Sequence, residues 1–277
     1  MTINCKGKLL SFDLPVVMGI INITPDSFYS GSRQQTIEAA LQQAAKMLGE
    51  GAAILDIGGQ STRPGSEQAG AEAEAERVLP IIQAIHQQYP AAIISIDTYY
   101  ASVAELAVTA GAHIVNDISG GTLDDSMFAI VARLKVPYIC MHMRGTPETM
   151  QKLAVYEDVT KEVIEFFIQR IELAMQAGIN DIIIDPGFGF AKTQAHNFTL
   201  LRNLQLFNIL DKPILVGISR KSTIYKTLGI TAEEALNGTT VLNTIALMNG
   251  AHILRVHDVE EAVEAVKLVA ACKKSVS

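Results

Sequence analysis

Cysteine is scarce in this chain of 277 residues: Cys5, Cys140 and Cys272 are far apart and odd in number. That excludes a disulfide framework, and the absence of Cys-x-x-Cys, His-Glu-x-x-His and His/carboxylate triad spacings argues against a tightly held transition metal or a redox pair. Charge is also sparse, at 18% of residues, and the positive share is the smaller, with 22 Lys and Arg against 29 Asp and Glu. The resulting net charge of −7 opposes non-specific nucleic-acid binding, which needs a basic face, so no nucleic-acid partner is expected. Any anionic ligand would need cations concentrated locally. No apolar run approaches the roughly 20 residues of a membrane helix, so no membrane partner is expected either. The first residues, Met1 to Lys6, lack the basic region, apolar stretch and small-residue cleavage site of an export signal, which leaves the cytoplasm as the expected location. No linker divides the chain, so residues 1–277 read as one domain.

Hydrophobic residues are abundant, at 49%, and they are organised. Eight short runs rich in Ile and Val recur at 16–22, 53–58, 93–97, 113–117, 136–142, 182–186, 214–219 and 252–258. Each is too short for a helix and continuously apolar, as are strands of a parallel sheet buried on both faces. Helical periodicity fills the gaps at 34–48, 71–88, 101–109, 125–134, 156–176, 195–207, 231–248 and 259–271. Eight such alternations indicate a (β/α)8 TIM barrel, with a doubly wound open sheet as the alternative. Residues 3–13, with a Lys6-Gly7-Lys8 turn between apolar stretches, are consistent with a short N-terminal hairpin plugging the barrel floor. The phrase Gly-Ala-His-Ile occurs at both 111–114 and 250–253, marking two equivalent helix-to-strand junctions on that floor.

Nearly every run ends on a polar side chain: Asn22, Asp56, Asp97, Asn116, His142, Asp185, Ser219 and His257. In a barrel these positions converge on the catalytic mouth. Asp97, Asp185 and Asn116 together suit a flat heterocycle that both donates and accepts, because an ionised Asp only accepts while Asn does both. Each taken singly is equally a strand-end turn residue. Arg63, Arg220, Lys221, Arg255 and His257 add cations to the same rim, which points to an anionic, phosphorylated substrate; Arg255 in an ion pair with a rim aspartate is a compatible alternative. Lys221 as a Schiff-base lysine is a further alternative, weakened by its place beyond the strand. Asp56 reads either as catalytic or, the favoured reading, as a brace for the loop after the second strand through backbone hydrogen bonds. His86, His113, His196 and His252 fall on helices or the floor and read as structural. Magnesium bridging a diphosphate would find Asn22 as the nearest protein oxygen.

Five stretches, in order, resemble the dihydropteroate synthases, a pterin-binding enzyme family. They are Met18-Gly19-Ile20-Ile21-Asn22-Ile23-Thr24-Pro25-Asp26-Ser27-Phe28, Asp56-Ile57-Gly58-Gly59-Gln60-Ser61-Thr62-Arg63-Pro64-Gly65, Asn116-Asp117-Ile118-Ser119-Gly120-Gly121, Asp185-Pro186-Gly187-Phe188-Gly189-Phe190 and Ser219-Arg220-Lys221-Ser222. The resemblance implies condensation of 6-hydroxymethyl-7,8-dihydropterin diphosphate with 4-aminobenzoate, a Mg2+ requirement, a homodimer and competition by sulfonamides. It also implies roles. Asp97, Asn116, Asp185 and Lys221 would hold the pterin, with Met141 against the ring and Phe190 and Gly217 at the border. Asn22, Arg63, Arg255 and His257 would hold the diphosphate and its magnesium. Phe28, Thr62, Pro64 and Ser222 would line the aminobenzoate site. Of these, Asp97, Asp185, Lys221 and Arg63 would carry the catalysis. One departure is visible: the family commonly has Glu where this chain has Gln60. Two rival readings are a methyltransferase barrel that binds a reduced pterin and a relative that binds pterin without turnover.

Overall fold

The computed structural model describes residues 1–23, 33–60 and 70–274. A hairpin of β1 (Thr2–Cys5) and β2 (Lys8–Ser11) precedes the repeating part. There follow β3 (Val16–Asn22), α1 (Arg33–Gly49), β4 (Ile54–Gly58), α2 (Ala71–Gln88), β5 (Ile93–Asp97), α3 (Ala101–Ala110), β6 (Ile114–Asp117), α4 (Met127–Leu134) and β7 (Tyr138–Met141). The chain continues with α5 (Val159–Ala177), β8 (Ile182–Asp185), α6 (Gln194–Arg202), β9 (Leu215–Val216), α7 (Ser222–Leu228), α8 (Leu236–Met248), β10 (Ile253–Val256) and α9 (Val259–Lys274). The eight strands from β3 to β10 form one parallel sheet, with β10 pairing both β9 and β3. A parallel bridge between Ile184 and Ile214, with the Ile184 N–H donating to the Pro213 carbonyl, joins β8 to the segment entering β9 and closes the ring. The TIM barrel and the short hairpin expected from the sequence are both present.

Period-two alternation sorts each strand into inward and outward residues. Val17, Leu55, Ile94, Val115, Cys140, Ile184, Val216 and Leu254 pack outward into the core shared with the helices. Met18, Ile54, Ile93, Ile114, Ile139, Ile183, Leu215 and Ile253 turn inward and pack with Ile3, Cys5, Leu10 and Phe12 of the hairpin segment. The lowest inward layer is therefore wholly apolar and sealed from below. Two residues further along the same strands come Ile20, Asp56, Ser95, Asn116, Met141, Asp185, Gly217 and Arg255. Polarity changes abruptly between these two layers, and that change locates the site.

The repeated Gly-Ala-His phrase has a physical reason. Gly111 and Gly250 take left-handed φ values of 124° and 98° to end α3 and α8. The following alanines donate back to Ala107 and Ala246. His113 then pairs with Ile94 twice: its N–H donates to the Ile94 carbonyl at 2.7 Å, and its Nδ1 accepts the Ile94 N–H at 3.1 Å. His252 repeats the arrangement with Ile214, at 2.9 and 3.2 Å. Each imidazole satisfies a backbone donor where the ladder begins.

Boundaries differ from the sequence at several helices, three of them with a consequence for the fold. The helix expected from residue 156 starts at Val159, because Asp158 caps it by accepting from the Thr160 and Lys161 N–H groups. The helix expected at 195–207 ends at Arg202 and continues as 3-10 turns over Leu204–Leu210. The helix expected from residue 231 starts at Leu236, and a separate short helix, α7, has no counterpart in the sequence pattern; left-handed Gly229 terminates it.

Candidate active site

The polar layer is built around Arg255. Its Nε donates to Asp56 Oδ2 and its Nη2 to Asp97 Oδ2, both at 2.6 Å, and Asn116 Nδ2 adds a third bond to Asp56 Oδ2 at 3.1 Å. Arg255 thus makes the ion pair read as an alternative from the sequence, and makes it with two carboxylates at once. Burial lifts the Asp97 carboxyl to about 7, Arg255 opposes that, and the nearby Asp56 and Glu74 charges add to it. Asp56 holds Arg255 and Asn116, and the loop it is expected to brace lies almost wholly outside the described residues.

Across the mouth, Asp185 Oδ1 accepts the Gly187 N–H at 2.7 Å. A Cβ placed on Gly217 would lie 3.9 Å from Asp185 Oδ2 and 3.8 Å from the Arg255 Cβ. The missing side chain leaves room between the anion and the cation, with Oδ2 facing it. Burial raises the Asp185 pKa, opposed most by Lys221. Lys221 donates to the Phe188 carbonyl at 2.5 Å and sits 4.6 Å above the Phe190 ring. Burial lowers its pKa to about 8, with Asp185 opposing. Phe190 packs with Met141, Met143, Met150, Ala191, Ile118 and Tyr99 in an apolar cluster of its own beside the mouth.

The opposite edge carries Asn22 and His257. A Cβ on Gly58 would touch Asp97 Oδ2 at 3.6 Å and Asn22 Oδ1 at 3.7 Å, so these two oxygens converge over the glycine. The His257 N–H donates to Ser219 Oγ at 3.3 Å, and that oxygen lies 3.1 Å from His257 Nδ1. The Ser219 hydroxyl thus holds both the backbone and the ring of His257 in place. The protein packed about the ring, and then Arg255, lower the His257 pKa to about 4.

A family model described as "Pterin binding enzyme" matches residues 18–257. The dihydropteroate synthase of Escherichia coli K12 is 42% identical over 273 residues, covering 98% of this chain and 96% of that one. The chain belongs to the dihydropteroate synthase family. The solved Yersinia pestis dihydropteroate synthase, described with a sulfonamide drug complex, superposes with a TM-score of 0.93 at 39% identity, covering 99% of this chain and 100% of that one. The Xanthomonas albilineans dihydropteroate synthase, described with 4-aminobenzoic acid, superposes with a TM-score of 0.92 at 40% identity, covering 98% of each chain.

Of the residues singled out from the sequence, Asn22, Asp97, Asn116, Met141, Asp185, Phe190, Gly217, Lys221, Arg255 and His257 lie on the inner layers or the rim, with Ser222 opening α7 beside them. Phe28, Thr62, Arg63 and Pro64 lie outside the described residues. Arg220 does not belong to the cationic rim as expected. Its guanidinium bonds to both Asp258 carboxylate oxygens at 2.8 Å and to the Ala232 and Glu233 carbonyls, with its backbone at a left-handed φ of 52° that turns the side chain outward. His142 also leaves the rim and is buried against Lys192.

Two buried groupings escape the sequence reading of this family member. Gln60 Nε2 donates to Glu74 Oε2 at 2.7 Å and Tyr99 donates to Gln60 Oε1 at 2.8 Å. In the sequence Gln60 is visible only as a departure from the family pattern. Lys192 gives no signal there, because a lysine near a helix start reads as solvent-exposed. For magnesium, the described residues contain no group of three or more His, Cys, Asp or Glu that would cage a cation. Asn22 Oδ1 is nevertheless a hard oxygen donor of the kind Mg2+ takes when phosphate and water supply the remaining ligands. The donor chemistry fits a shared ion.

Proposed function

We propose that this chain condenses 6-hydroxymethyl-7,8-dihydropterin diphosphate with 4-aminobenzoate to give 7,8-dihydropteroate and diphosphate. It is a transferase of folate synthesis and a sulfonamide target, acting as a homodimer in the cytoplasm and as one domain over residues 1–277. The observation that carries the reading is the inner layer: Arg255 bonded to Asp56 and Asp97, Asn116 bonded to Asp56, and Asp185 facing the open space over Gly217. No described helix is long and apolar enough to cross a membrane.

In this reading the pterin lies over Gly217, its edge against Asp185 Oδ2, Asn116 and Asp97, its face against Met141 and Phe190, with Lys221 above. The carbon–oxygen bond to the diphosphate breaks first, and the electron pair leaves with the diphosphate. Positive charge then spreads from the methylene into the ring, where Asp97 and Asp185 stand ready to stabilise it without reorganising. A cationic ring also favours the ionised form of Asp97, against the burial that raises its pKa. The aryl amine forms the new carbon–nitrogen bond and sheds a proton. Arg255, His257 and Arg63 would hold the departing diphosphate, while Phe28, Thr62, Pro64 and Ser222 would line the aminobenzoate site. Magnesium, with Asn22 as its protein oxygen, would neutralise charge on the diphosphate.

The deciding experiment is diphosphate release from purified protein given the dihydropterin diphosphate and Mg2+, with and without 4-aminobenzoate, while dihydropteroate is followed. Release coupled to product supports the reading. Tight pterin binding without release would point to a relative that no longer turns over, and no pterin binding would sink the assignment.

A further inference from the structure

Lys192 lies in the loop leaving β8 and is 4% exposed. Its Nζ is 2.9 Å from the Phe190 carbonyl oxygen, 2.9 Å from His142 Nδ1 and 3.4 Å from the His142 carbonyl oxygen. None of its described hydrogen-bond partners is a carboxylate, and it appears in none of the described ion pairs. An ammonium buried without a hydrogen-bonded anion is costly, and every described contact of this amine is to an uncharged group. Burial accordingly pushes the amine well below the ordinary lysine range, against the pull of Asp185 and with Lys221 and Arg144 adding to the effect.

The loop that Lys192 closes is strained. Gly187, Gly189 and Ala191 all have left-handed φ, at 71°, 84° and 48°, and for alanine that conformation costs roughly 1–2 kcal/mol. The peptide groups on both sides of Ala191 are held: Tyr156 donates to the Ala191 carbonyl at 2.9 Å, and Lys192 donates to that of Phe190. The same amine reaches His142, the residue after Met141. It therefore joins the two backbones that present Met141 and Phe190 to the mouth, and Phe190 is the ring beneath the Lys221 ammonium.

We propose that Lys192 is a positioning residue acting as an uncharged amine, tying the end of β7 to the Phe190 turn and so fixing the Met141–Phe190 face and the Lys221 ammonium for the pterin ring. The inference rests on the pterin reading of the mouth. A charged Lys192 would compete with Lys221 for Asp185; an uncharged one supplies the two hydrogen bonds and leaves Asp185 to the ligand.

The test compares wild type with Lys192→Met, Lys192→Gln and Lys192→Arg. It measures the Kd of 6-hydroxymethylpterin, the KM of each substrate and the thermal midpoint. Lys192→Met is expected to weaken pterin binding about tenfold, the size of one lost hydrogen bond, while the 4-aminobenzoate KM stays within about twofold. Lys192→Gln, whose amide donates without charge, is expected to recover most of the loss, and Lys192→Arg none of it. Wild-type pterin affinity in Lys192→Met would overturn the positioning role, and wild-type affinity in Lys192→Arg would overturn the uncharged state. Nitrogen-15 NMR of the wild-type Lys192 Nζ decides the charge state even if a variant fails to fold. A neutral-amine shift at pH 7 supports the proposal and an ammonium shift overturns it. Absence of pterin binding by wild type would instead remove the underlying reading, leaving that NMR result standing.

Discussion

Arg255 holds Asp56 and Asp97 at 2.6 Å each, so its loss would leave two carboxylates facing one another in the barrel interior. Removing one partner of a buried ion pair typically costs about 3–5 kcal/mol, because the remaining charge is stranded. Arg255→Met is therefore expected to lower the urea midpoint strongly as well as abolish turnover. Asp97 in the variant would sit still further above its ordinary carboxylate value. The folded chain would then hold a proton that the unfolded chain releases, so the deficit grows as pH rises from about 4. A variant with an unchanged midpoint and only a diphosphate defect would show that Arg255 is a phosphate ligand and no more. Gln60 raises a similar question with the opposite chemistry. Its amide fits between a donor, Tyr99, and an acceptor, Glu74, whose carboxyl burial lifts to about 7. Gln60→Glu, the residue common in the family, places two carboxyls where one hydrogen bond now lies, and the pair must retain a proton. Its stability is expected to match wild type near pH 5 and to fall as pH rises past 7. A parallel pair of stability curves across that range would refute this account.

At the level of elements, the turn after β8 depends on how closely two backbones approach. A Cβ on Gly187 would come within 2.1 Å of the His142 carbonyl oxygen, and φ there is 71°. Neither the carbonyl nor the conformation can yield cheaply, so Gly187→Ala is expected to cost about 1–3 kcal/mol and to abolish pterin binding by displacing Phe190. Calorimetry of the pterin with this variant checks it; retained affinity would mean that the turn does not set the face. The sequence could not reveal this constraint, because Gly187 and His142 are distant along the chain and meet only in the folded barrel. The strands were legible for the opposite reason. Burial on both faces makes each a short, continuous apolar run, and its polar last residue marks the mouth. Helix α7 was not, since its 7 residues are too few for helical periodicity to register. Arg220 shows the limit for side chains: between Ser219 and Lys221, at the end of a strand, it reads as rim, and only the backbone turn at φ 52° sends it to Asp258.

The whole molecule divides into a sealed floor and a charged mouth, and acid should act on the two with opposite signs. On the floor, His113 Nδ1 and His252 Nδ1 each accept a backbone N–H, from Ile94 and Ile214. A protonated imidazole has no acceptor left, so protonation would orphan both donors. Burial lowers the His113 pKa from 6.5 to about 4, and lowers that of His252 as well. The unfolded chain therefore binds these protons first. The His113 contribution to stability is whole above about pH 6.5 and is lost as pH falls through about 4, and the His252 contribution is lost in the same direction. In the mouth, burial raises Asp97 and Glu74 to about 7, so there the folded chain binds protons first and stability declines as pH rises from about 4.5 toward 7. The two contributions overlap and oppose one another, which makes the wild-type pH profile a poor guide to either. The double variant His113→Gln/His252→Gln separates them, because a glutamine oxygen can accept the same N–H without titrating while the mouth carboxylates are untouched. As pH is lowered from about 6.5 to 4.5 the urea midpoint of the double variant is expected to rise relative to that of wild type. Its turnover at pH 7 should stay near wild type, since the apolar layer of Ile54, Ile93, Ile114 and Ile253 separates these residues from the site. Equal acid sensitivity in the two proteins would place the labile protons elsewhere, and a large loss of turnover would show that the floor is not insulated from the mouth.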